Sequence, residues 1–202
     1  MKRRAPVVAF SGPSGAGKTR LLARLVPALR RRGLSVAVVK HSGHAHPFDR
    51  RGKDTEVLRR AGAVAAAIEG PAGMAYFGPP AGGLGGLLRH LPAVDLVLAE
   101  GFRGERVPRV EVHRRRVSRE FLCRRDPDVV AVVTDEPPPR DLPAFAPGEV
   151  EALADFVSSR FAPERRRTGE RRRTRSASGP ARLRTRSRRG PSRPARRRAP
   201  RP

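Results

Sequence analysis

The sequence has a single cysteine, Cys123, and no long apolar run. One thiol cannot close an internal disulfide, so the cysteine content favours a reducing compartment, and the lack of a second thiol nearby argues against a metal role for Cys123. The apolar run near the amino terminus is about five residues long, whereas a signal peptide needs ~7–15 apolar residues and a membrane span ~20. We therefore expect a soluble, cytoplasmic protein without a membrane segment.

The last 40 residues, 163–202, contain no aromatic residue, no isoleucine, no valine and one leucine. They hold 17 arginines against two acidic residues, so this segment carries +15 of the formal charge of +25. A segment of this composition cannot bury enough apolar surface to offset the entropy of ordering it. We predict one folded domain at 1–162, followed by a disordered basic tail rich in Arg, Pro and Ser at 163–202.

Short apolar runs alternate with helical patterns along the predicted domain. Helical spacing of apolar residues, with glycines at the ends, predicts helices over 18–32 (with Val26 on the apolar face), 54–61 (with Asp54 as its cap) and 148–161, and a short amphipathic turn ending near Leu91. The apolar runs predict strands at 7–10, 34–40, 63–70, 73–78, 94–100, 109–114 and, as the last strand, 128–135. The third and fourth of these are expected at an edge of the sheet, and 109–114 reads as an alternating strand.

This alternation predicts an α/β fold of the P-loop NTPase-like kind, with a mostly parallel β-sheet and helices on both faces. Ligands of such sheets bind beyond the carboxyl ends of the strands. Four segments follow strands and are expected to meet there: 11–19, 41–54, 100–103 and 134–135.

The first of these segments contains a complete G-x-x-x-x-G-K-[ST] motif at residues 12–19. Glycines let the backbone fold around a phosphate, and the start of the following helix points its positive dipole end at the anion. Lys18 adds a charge for the β- and γ-phosphates, and the Thr19 hydroxyl can ligate Mg²⁺. The predicted nucleotide-binding residues of this segment are Gly12, Ser14, Gly15, Ala16, Gly17, Lys18, Thr19 and Arg20.

A magnesium ion on a nucleotide needs a carboxylate as well. Glu100 ends the strand DLVLAE and faces the edge where the P-loop opens, whereas Asp95 lies at the other end of that strand, about 16 Å away at ~3.3 Å per residue. Glu100 is therefore the predicted metal ligand beside Thr19. Gly101 is expected to offer a backbone N–H near the γ-phosphate.

The segment KHSGHAHPFDRRGKDTE, residues 40–56, holds three histidines (His41, His44 and His46) and Asp49. Three interpretations stay open: a zinc site, a plain surface loop, and a loop lining the anion site. The third is favoured because zinc sites usually add cysteine or closely paired helical histidines. It places Lys40, His41, Asp49 and Lys53 near the phosphates or an acidic substrate.

Asp135 follows the strand VVAVVTD, where a carboxylate can accept hydrogen bonds from N1 and N2 of guanine. Adenine presents no matching pair of donors. The N-K-x-D signature is absent, so a preference for guanine depends on this one acid and its position.

Several separated motifs resemble the molybdopterin-guanine dinucleotide biosynthesis protein B (MobB) family. They are GPSGAGKT, then VVKHSGHAHPFDRRGKDTEVLRRAGA, DLVLAEGFR, PRVEVHR, VVAVVTDEP and EVEALADFV, in this order over residues 5–161. The chain departs from the family pattern in its His-x-x-His-x-His spacing, in Arg103 where lysine is common, and in the arginine-rich tail.

The resemblance implies a GTP-binding protein, usually a homodimer with low GTPase activity, that works beside the guanylyltransferase that attaches GMP to molybdopterin. It implies GTP and Mg²⁺ at Gly12–Thr19 with Glu100 at the metal. It also marks the 41–55 loop and Gly101, Phe102 and Arg103 as functional surface. No glutamine or histidine closely follows Glu100 to orient a water, which favours a holder of GTP over a fast hydrolase.

Two other classes of function remain as alternatives. A small-molecule kinase would use Asp49 as base and the arginine-dense segment 113–126 as a lid. A nucleic-acid-binding protein would use the basic tail, which attracts phosphate backbones in a salt-dependent way but lacks aromatic residues for base stacking. Incidental contact with a polyanion, or with an acidic partner, is the favoured interpretation of the tail.

Overall fold

The computed structural model describes residues 4–43 and 48–163, so most of the predicted tail lies outside the described residues. The strands are β1 Val7–Ser11, β2 Val36–Lys40, β3 Ala66–Gly70, β4 Gly73–Phe77, β5 Leu96–Glu100, β6 Arg109–Val112, β7 Val129–Val133 and β8 Ala144–Phe145. The α-helices are α1 Lys18–Arg31, α2 Asp54–Arg60, α3 Leu84–Arg89 and α4 Val150–Phe161, and a 3-10 turn covers Leu122–Arg124.

Six strands form one sheet in the order β2-β5-β1-β6-β7-β8, and every neighbouring pair is parallel. The predicted α/β fold with a mostly parallel sheet is confirmed. Strand β8 was not predicted from the sequence, in which 128–135 is the last predicted strand. β8 is only two residues long, too short for an apolar run to reveal it.

Helices cover both faces of the sheet. Helix α1 buries Leu21, Leu22, Leu25, Ala28 and Leu29, and α4 packs beside it on the same face. On the other face, α3 and Phe102 contact β1 and β5. The apolar face of α1 is turned slightly from the predicted one, since Ala28 is fully buried and Val26 only partly so.

Strands β3 and β4 form a separate antiparallel hairpin and are not an edge of the main sheet. The predicted placement of these two strands at an edge of the sheet is therefore wrong, and the exposure of their side chains gives the physical reason. The hairpin residues are mostly exposed, so their apolar character does not come from a place in the core. Helix α2 contacts β3 and begins at Asp54, with Lys53 rather than Asp54 in the cap position.

The parallel register brings the carboxyl ends of β1, β2 and β5 to one edge. Lys40 of β2 and Phe10 of β1 are both register partners of Glu100. Residues that follow these strands therefore share one edge of the sheet, as the alternation of strands and helices predicts. No helix in the described part of the chain is long and apolar enough to cross a membrane.

Candidate functional site

The glycine-rich loop lies between β1 and α1, as the motif requires. Gly15 and Gly17 have φ angles of 80° and 85°, in the left-handed region that glycine adopts without a Cβ clash. A Cβ atom built on Gly12 would overlap the carbonyl oxygen of Val112, at the end of β6. The loop therefore needs glycine at 15 and 17 for its backbone conformation, and at 12 for its close contact with the sheet. Ser14 is exposed on this loop, and Ala16 is buried.

Two cationic side chains point at the carbonyl groups of this loop. The Lys18 ammonium donates hydrogen bonds to the carbonyl oxygens of Gly12 (3.0 Å) and Pro13 (2.7 Å). Arg103 Nη2 donates to the same Gly12 oxygen at 2.9 Å. The family resemblance implies that Arg103 belongs to the functional surface, and in the structure it contacts the phosphate loop itself.

Burial lowers the pKa of Lys18, and the nearby cations Arg103 and Lys40 lower it further, while Glu100 acts in the opposite direction. Two positive charges, Lys18 and Arg103, thus lie on the loop itself, and Lys40 lies close by on Glu100. Concentrated positive charge that is partly desolvated favours the binding of a polyanion.

Glu100 is the carboxylate of this site. The Thr19 hydroxyl lies 2.8 Å from its Oε2 and 3.0 Å from its Oε1, and the Lys40 ammonium lies 3.2 Å from Oε1. Glu100 is 7% exposed, so its charge is held in a mostly buried position by these two partners. Asp95 lies just before β5, at the opposite end of that strand, and accepts hydrogen bonds from the N–H and the hydroxyl of Ser35.

The connection after β5 turns sharply beside the phosphate loop. Gly101 has φ 92° and donates its N–H to the Phe10 carbonyl at 3.0 Å. The prediction that this N–H faces a γ-phosphate is therefore wrong, because the parallel pairing of β5 with β1 takes it up. Phe102 has φ 55°, a left-handed conformation that is uncommon for a residue with a side chain. Its ring is buried and lies 5.3 Å from the ring of His41, so it holds the β2 and β5 ends together.

The rest of the histidine-containing segment is only partly described. His44 and His46 lie outside the described residues. Asp49 accepts a hydrogen bond from Thr55 at 2.9 Å and lies 3.6 Å from Arg59, so its charge is engaged within its own segment. Lys53 is exposed. Over residues 4–43 and 48–163, no group of three His, Cys, Asp or Glu is placed to hold a metal ion.

A cleft of about 580 Å³ opens beside the phosphate loop. Arg20 and Asp135 both line it, together with Gly15–Gly17. Asp135 Oδ1 accepts the Arg115 N–H at 2.9 Å, and this hydrogen bond lowers the pKa of Asp135 below its usual value. An ionised acceptor thus lies in the same cleft as the loop. Further arginines of the cleft are Arg24, Arg114 and Arg116.

Three buried polar residues, two in β6 and one directly after it, were not among the predicted site residues. Arg109, Glu111 and His113 are 2%, 1% and 1% exposed. Strand β6 lies between β1 and β7, and Phe121 and Cys123 of the following segment cover its polar face. The pattern of charged residues in this segment could have indicated them, since polar residues that are buried in a central strand must be paired.

The arginine-dense segment 113–126 is not a helical lid. It contains a turn and the 3-10 turn Leu122–Arg124, whose Leu122 and Cys123 N–H groups donate to the Glu111 carboxylate at 2.7 and 2.9 Å. Burial raises the pKa of the Cys123 thiol to about 11, as expected of an unreactive structural cysteine.

Known proteins resemble this chain over nearly all of its described part. The model of the family "Molybdopterin guanine dinucleotide synthesis protein B" matches residues 7–135. Relatives named "Molybdopterin-guanine dinucleotide biosynthesis adapter protein" are 32% identical in Haemophilus influenzae, over 79% of this chain and 91% of the relative, and 34% identical in Escherichia coli, over 75% and 91%. A solved molybdopterin-guanine biosynthesis protein B is 30% identical with a TM-score of 0.59, covering 76% of this chain and 98% of that structure.

Proposed function

Because the chain belongs to the molybdopterin guanine dinucleotide synthesis protein B family, we propose that it is a GTP-binding adapter in the synthesis of that dinucleotide. In this role it holds GTP with Mg²⁺ and assists the attachment of GMP to molybdopterin. The single observation that carries the proposal is the convergence of Lys18, Thr19 and Glu100 on one glycine-rich loop. We also propose that the protein acts in the cytoplasm.

The phosphates would be held by the backbone of residues 12–19 and by Lys18. Lys18 already lies on the loop, bonded to two of its carbonyl oxygens, so its ammonium needs little movement to reach an anion in the loop. Arg103, on the Gly12 carbonyl, adds a second cation there. Partial burial of Lys18 strengthens its interaction with phosphate oxygens.

Magnesium would be held by Thr19 and Glu100. Mg²⁺ prefers oxygen ligands, and on a nucleotide it takes one or two protein groups besides phosphate and water. The hydroxyl and the carboxylate lie 2.8 Å apart at the mouth of the loop, which fits that donor set. When bound, the ion would neutralise phosphate charge, while Lys40, 3.2 Å from Oε1, helps to fix the position of the Glu100 carboxylate.

Guanine would be recognised by Asp135 in the cleft beside residues 15–17. Its lowered pKa keeps the carboxylate ionised at neutral pH, so it can accept two hydrogen bonds from adjacent donors of a base. Guanine offers such a pair and adenine does not.

The residues after Glu100 support the proposal that the protein hydrolyses GTP slowly, if it does so at all. Gly101 has no side chain, the Phe102 ring is buried among apolar residues, and Arg103 is bonded to Gly12. None of these groups is a base that would orient an attacking water. The site is therefore proposed to retain GTP rather than to cut it rapidly.

Contact with the partner enzyme is proposed to occur at the edge of the nucleotide site. His41 lies beside Phe102, and Arg103 contacts the phosphate loop at Gly12. The 41–55 loop and residues 101–103 are proposed to contact the guanylyltransferase and its molybdopterin. The two relatives carry the word "adapter" in their names, which supports a function exercised through another protein.

A homodimer is proposed to form through the β3–β4 hairpin. Ile68, Met74 and Tyr76 are each more than half exposed. Strand alternation places Met74 and Tyr76 on one face and Ile68 on the other, so both faces present apolar groups to solvent. A two-stranded hairpin is marginally stable alone, and a second copy of the chain would cover it.

The alternative of a small-molecule kinase is weakened because Asp49, the base it requires, is already engaged. Asp49 is bonded to Thr55 and close to Arg59, which suits a structural tie in this segment. The proposed lid is anchored by Glu111 rather than free to close. The accessory function is therefore the better supported of the two.

The direct test is a competition series with Mg²⁺, comparing GTP, GDP, ATP and molybdopterin as ligands of the full chain. GTP should bind more tightly than ATP. Tighter binding of ATP would contradict the proposal, as would stoichiometric transfer of labelled phosphoryl groups to a hydroxyl acceptor.

A further inference from the structure

A buried polar chain runs from the 3-10 turn to the mouth of the cleft. Glu111 accepts two backbone N–H groups of that turn. Its Oε1 lies 3.7 Å from Nδ1 of His113, which has no hydrogen-bond partner of its own. The His113 ring is 1% exposed and stacks on Phe121, with 3.6 Å between ring centroids and 4° between planes. His113 is thus held in one orientation by its surroundings.

The other ring nitrogen of His113 reaches the turn that contains Asp135. His113 Nε2 lies 2.6 Å from Glu136 Oε1. Glu136 also donates its N–H to the Thr134 hydroxyl at 3.1 Å, and that hydroxyl donates to the Glu136 carbonyl at 2.8 Å. The turn after β7 is therefore closed on itself by Thr134 and tied to β6 by one histidine.

The two segments are joined again on either side of this contact. Arg114 Nη1 donates to the Val133 carbonyl at 3.0 Å, and Arg115 N–H donates to Asp135. The carboxylate of Asp135 is exposed to the cleft, while the residue before it and the side chain after it are both anchored. Arg115, Thr134 and Glu136 fix the direction of this carboxylate, and none of the three lines the cleft.

We propose that His113 is a positioning residue for base recognition. Through Glu136 it holds the 134–136 turn so that Asp135 presents its carboxylate to a purine with two adjacent N–H donors, N1–H and an exocyclic 2-amino group. This inference rests on the proposed binding of GTP and adds the residue that makes Asp135 selective. His113 itself does not touch the nucleotide.

The test compares three nucleotides on the full chain with Mg²⁺: GTP, inosine triphosphate, which lacks the 2-amino group, and ATP. The variants are His113→Leu, which removes the bond to Glu136, and His113→Gln, whose amide can still donate to it. Glu136→Ala breaks the same contact from the partly exposed side, so it covers the case in which His113→Leu does not fold. His90→Leu, at an exposed histidine, is the matched control.

His113→Leu and Glu136→Ala should lose about tenfold or more of the preference for GTP over inosine triphosphate, in line with one hydrogen bond to a charged group. Their affinity for ATP, which depends on the phosphate loop, should stay unchanged. His113→Gln should retain part of the preference, and His90→Leu all of it.

Two results would overturn this inference alone: a wild-type preference for GTP that persists in both disruptive variants, or an equal loss of affinity for all three nucleotides. The second result would mean that His113 only stabilises the fold. A wild-type chain that binds ATP as tightly as GTP would instead contradict the proposed function itself.

Discussion

The hydroxyl of Thr19 donates a hydrogen bond to the carboxylate of Glu100, although 81 residues separate them in the chain. One belongs to the first turn of α1 and the other to the last residue of β5. The contact exists because β1 and β5 are neighbours in a parallel sheet and end at the same edge. It brings a neutral and an anionic oxygen group together at the mouth of the phosphate loop.

Replacing Glu100 by Gln is expected to abolish most of the gain in nucleotide affinity that Mg²⁺ provides. The amide lacks the charge that a divalent cation requires, and a loss of about ten- to hundred-fold corresponds to one charge-assisted contact. Titration calorimetry with and without Mg²⁺ measures it. Glu120→Gln, at an exposed ion pair with Arg125, is the control, and equal Mg²⁺ dependence in both variants would rule out Glu100 as a ligand.

Nucleotide affinity is expected to fall as pH rises from about 7 to about 10. The pKa of Lys18 is lowered by burial, so the free protein loses this charge at a lower pH than an ordinary lysine does. A bound anion favours the charged form, and binding at high pH must therefore take up a proton. In Lys18→Arg the charge persists over this range. The difference between the two profiles isolates Lys18 from titration of the base, and identical profiles would contradict the prediction.

Gly12→Ala is expected to destabilise the domain by about 1–3 kcal/mol and to weaken nucleotide binding. The added methyl group overlaps the Val112 carbonyl oxygen, which is backbone and cannot rotate away. Urea unfolding and nucleotide titration measure the two effects. Gly148→Ala is the matched control, because its Cβ would meet nothing within 4 Å. Equal stability of both variants would show that the loop does not pack on β6 as described.

The double variant Ile68→Asp with Met74→Asp is expected to be monomeric, while the unchanged chain is dimeric. Two charges would be placed on opposite faces of the β3–β4 hairpin, where the proposed interface buries apolar groups. Light scattering after size-exclusion chromatography gives the mass. Ser159→Asp, on an exposed position of α4, should leave the dimer intact. A monomeric wild-type chain would refute the proposed dimer.

Deletion of residues 163–202 is expected to leave GTP affinity unchanged and to remove salt-sensitive retention on nucleic acid. The segment carries +15 of the formal charge of +25, and such binding weakens with salt because counterions are released. Filter binding over a range of salt concentrations measures it. Failure of cofactor maturation in cells with the truncated chain would mean that the tail has a function that its composition does not reveal.

Local patterns in the sequence determined the phosphate loop and its setting. A glycine-rich motif between an apolar run and a helical pattern has few other structural solutions, so the strand, loop and helix could all be placed. The parallel sheet followed from the alternation of strands and helices. The direction of the strands then placed Glu100, rather than Asp95, at the edge beside the loop, where the structure has it.

Which residues are buried or paired depends on which strands are neighbours, and that information comes from the tertiary fold. The sequence of β6 alternates between polar and apolar residues, but β6 lies inside the sheet, so Arg109, Glu111 and the following His113 are all buried. Apolar runs likewise predict β3 and β4 without showing that they pair with each other alone. Periodicity records how a segment alternates, while burial depends on what covers it. For β6 that cover comes from residues 118–126 and from the neighbouring strands β1 and β7, and the same packing brings His113 within 2.6 Å of Glu136.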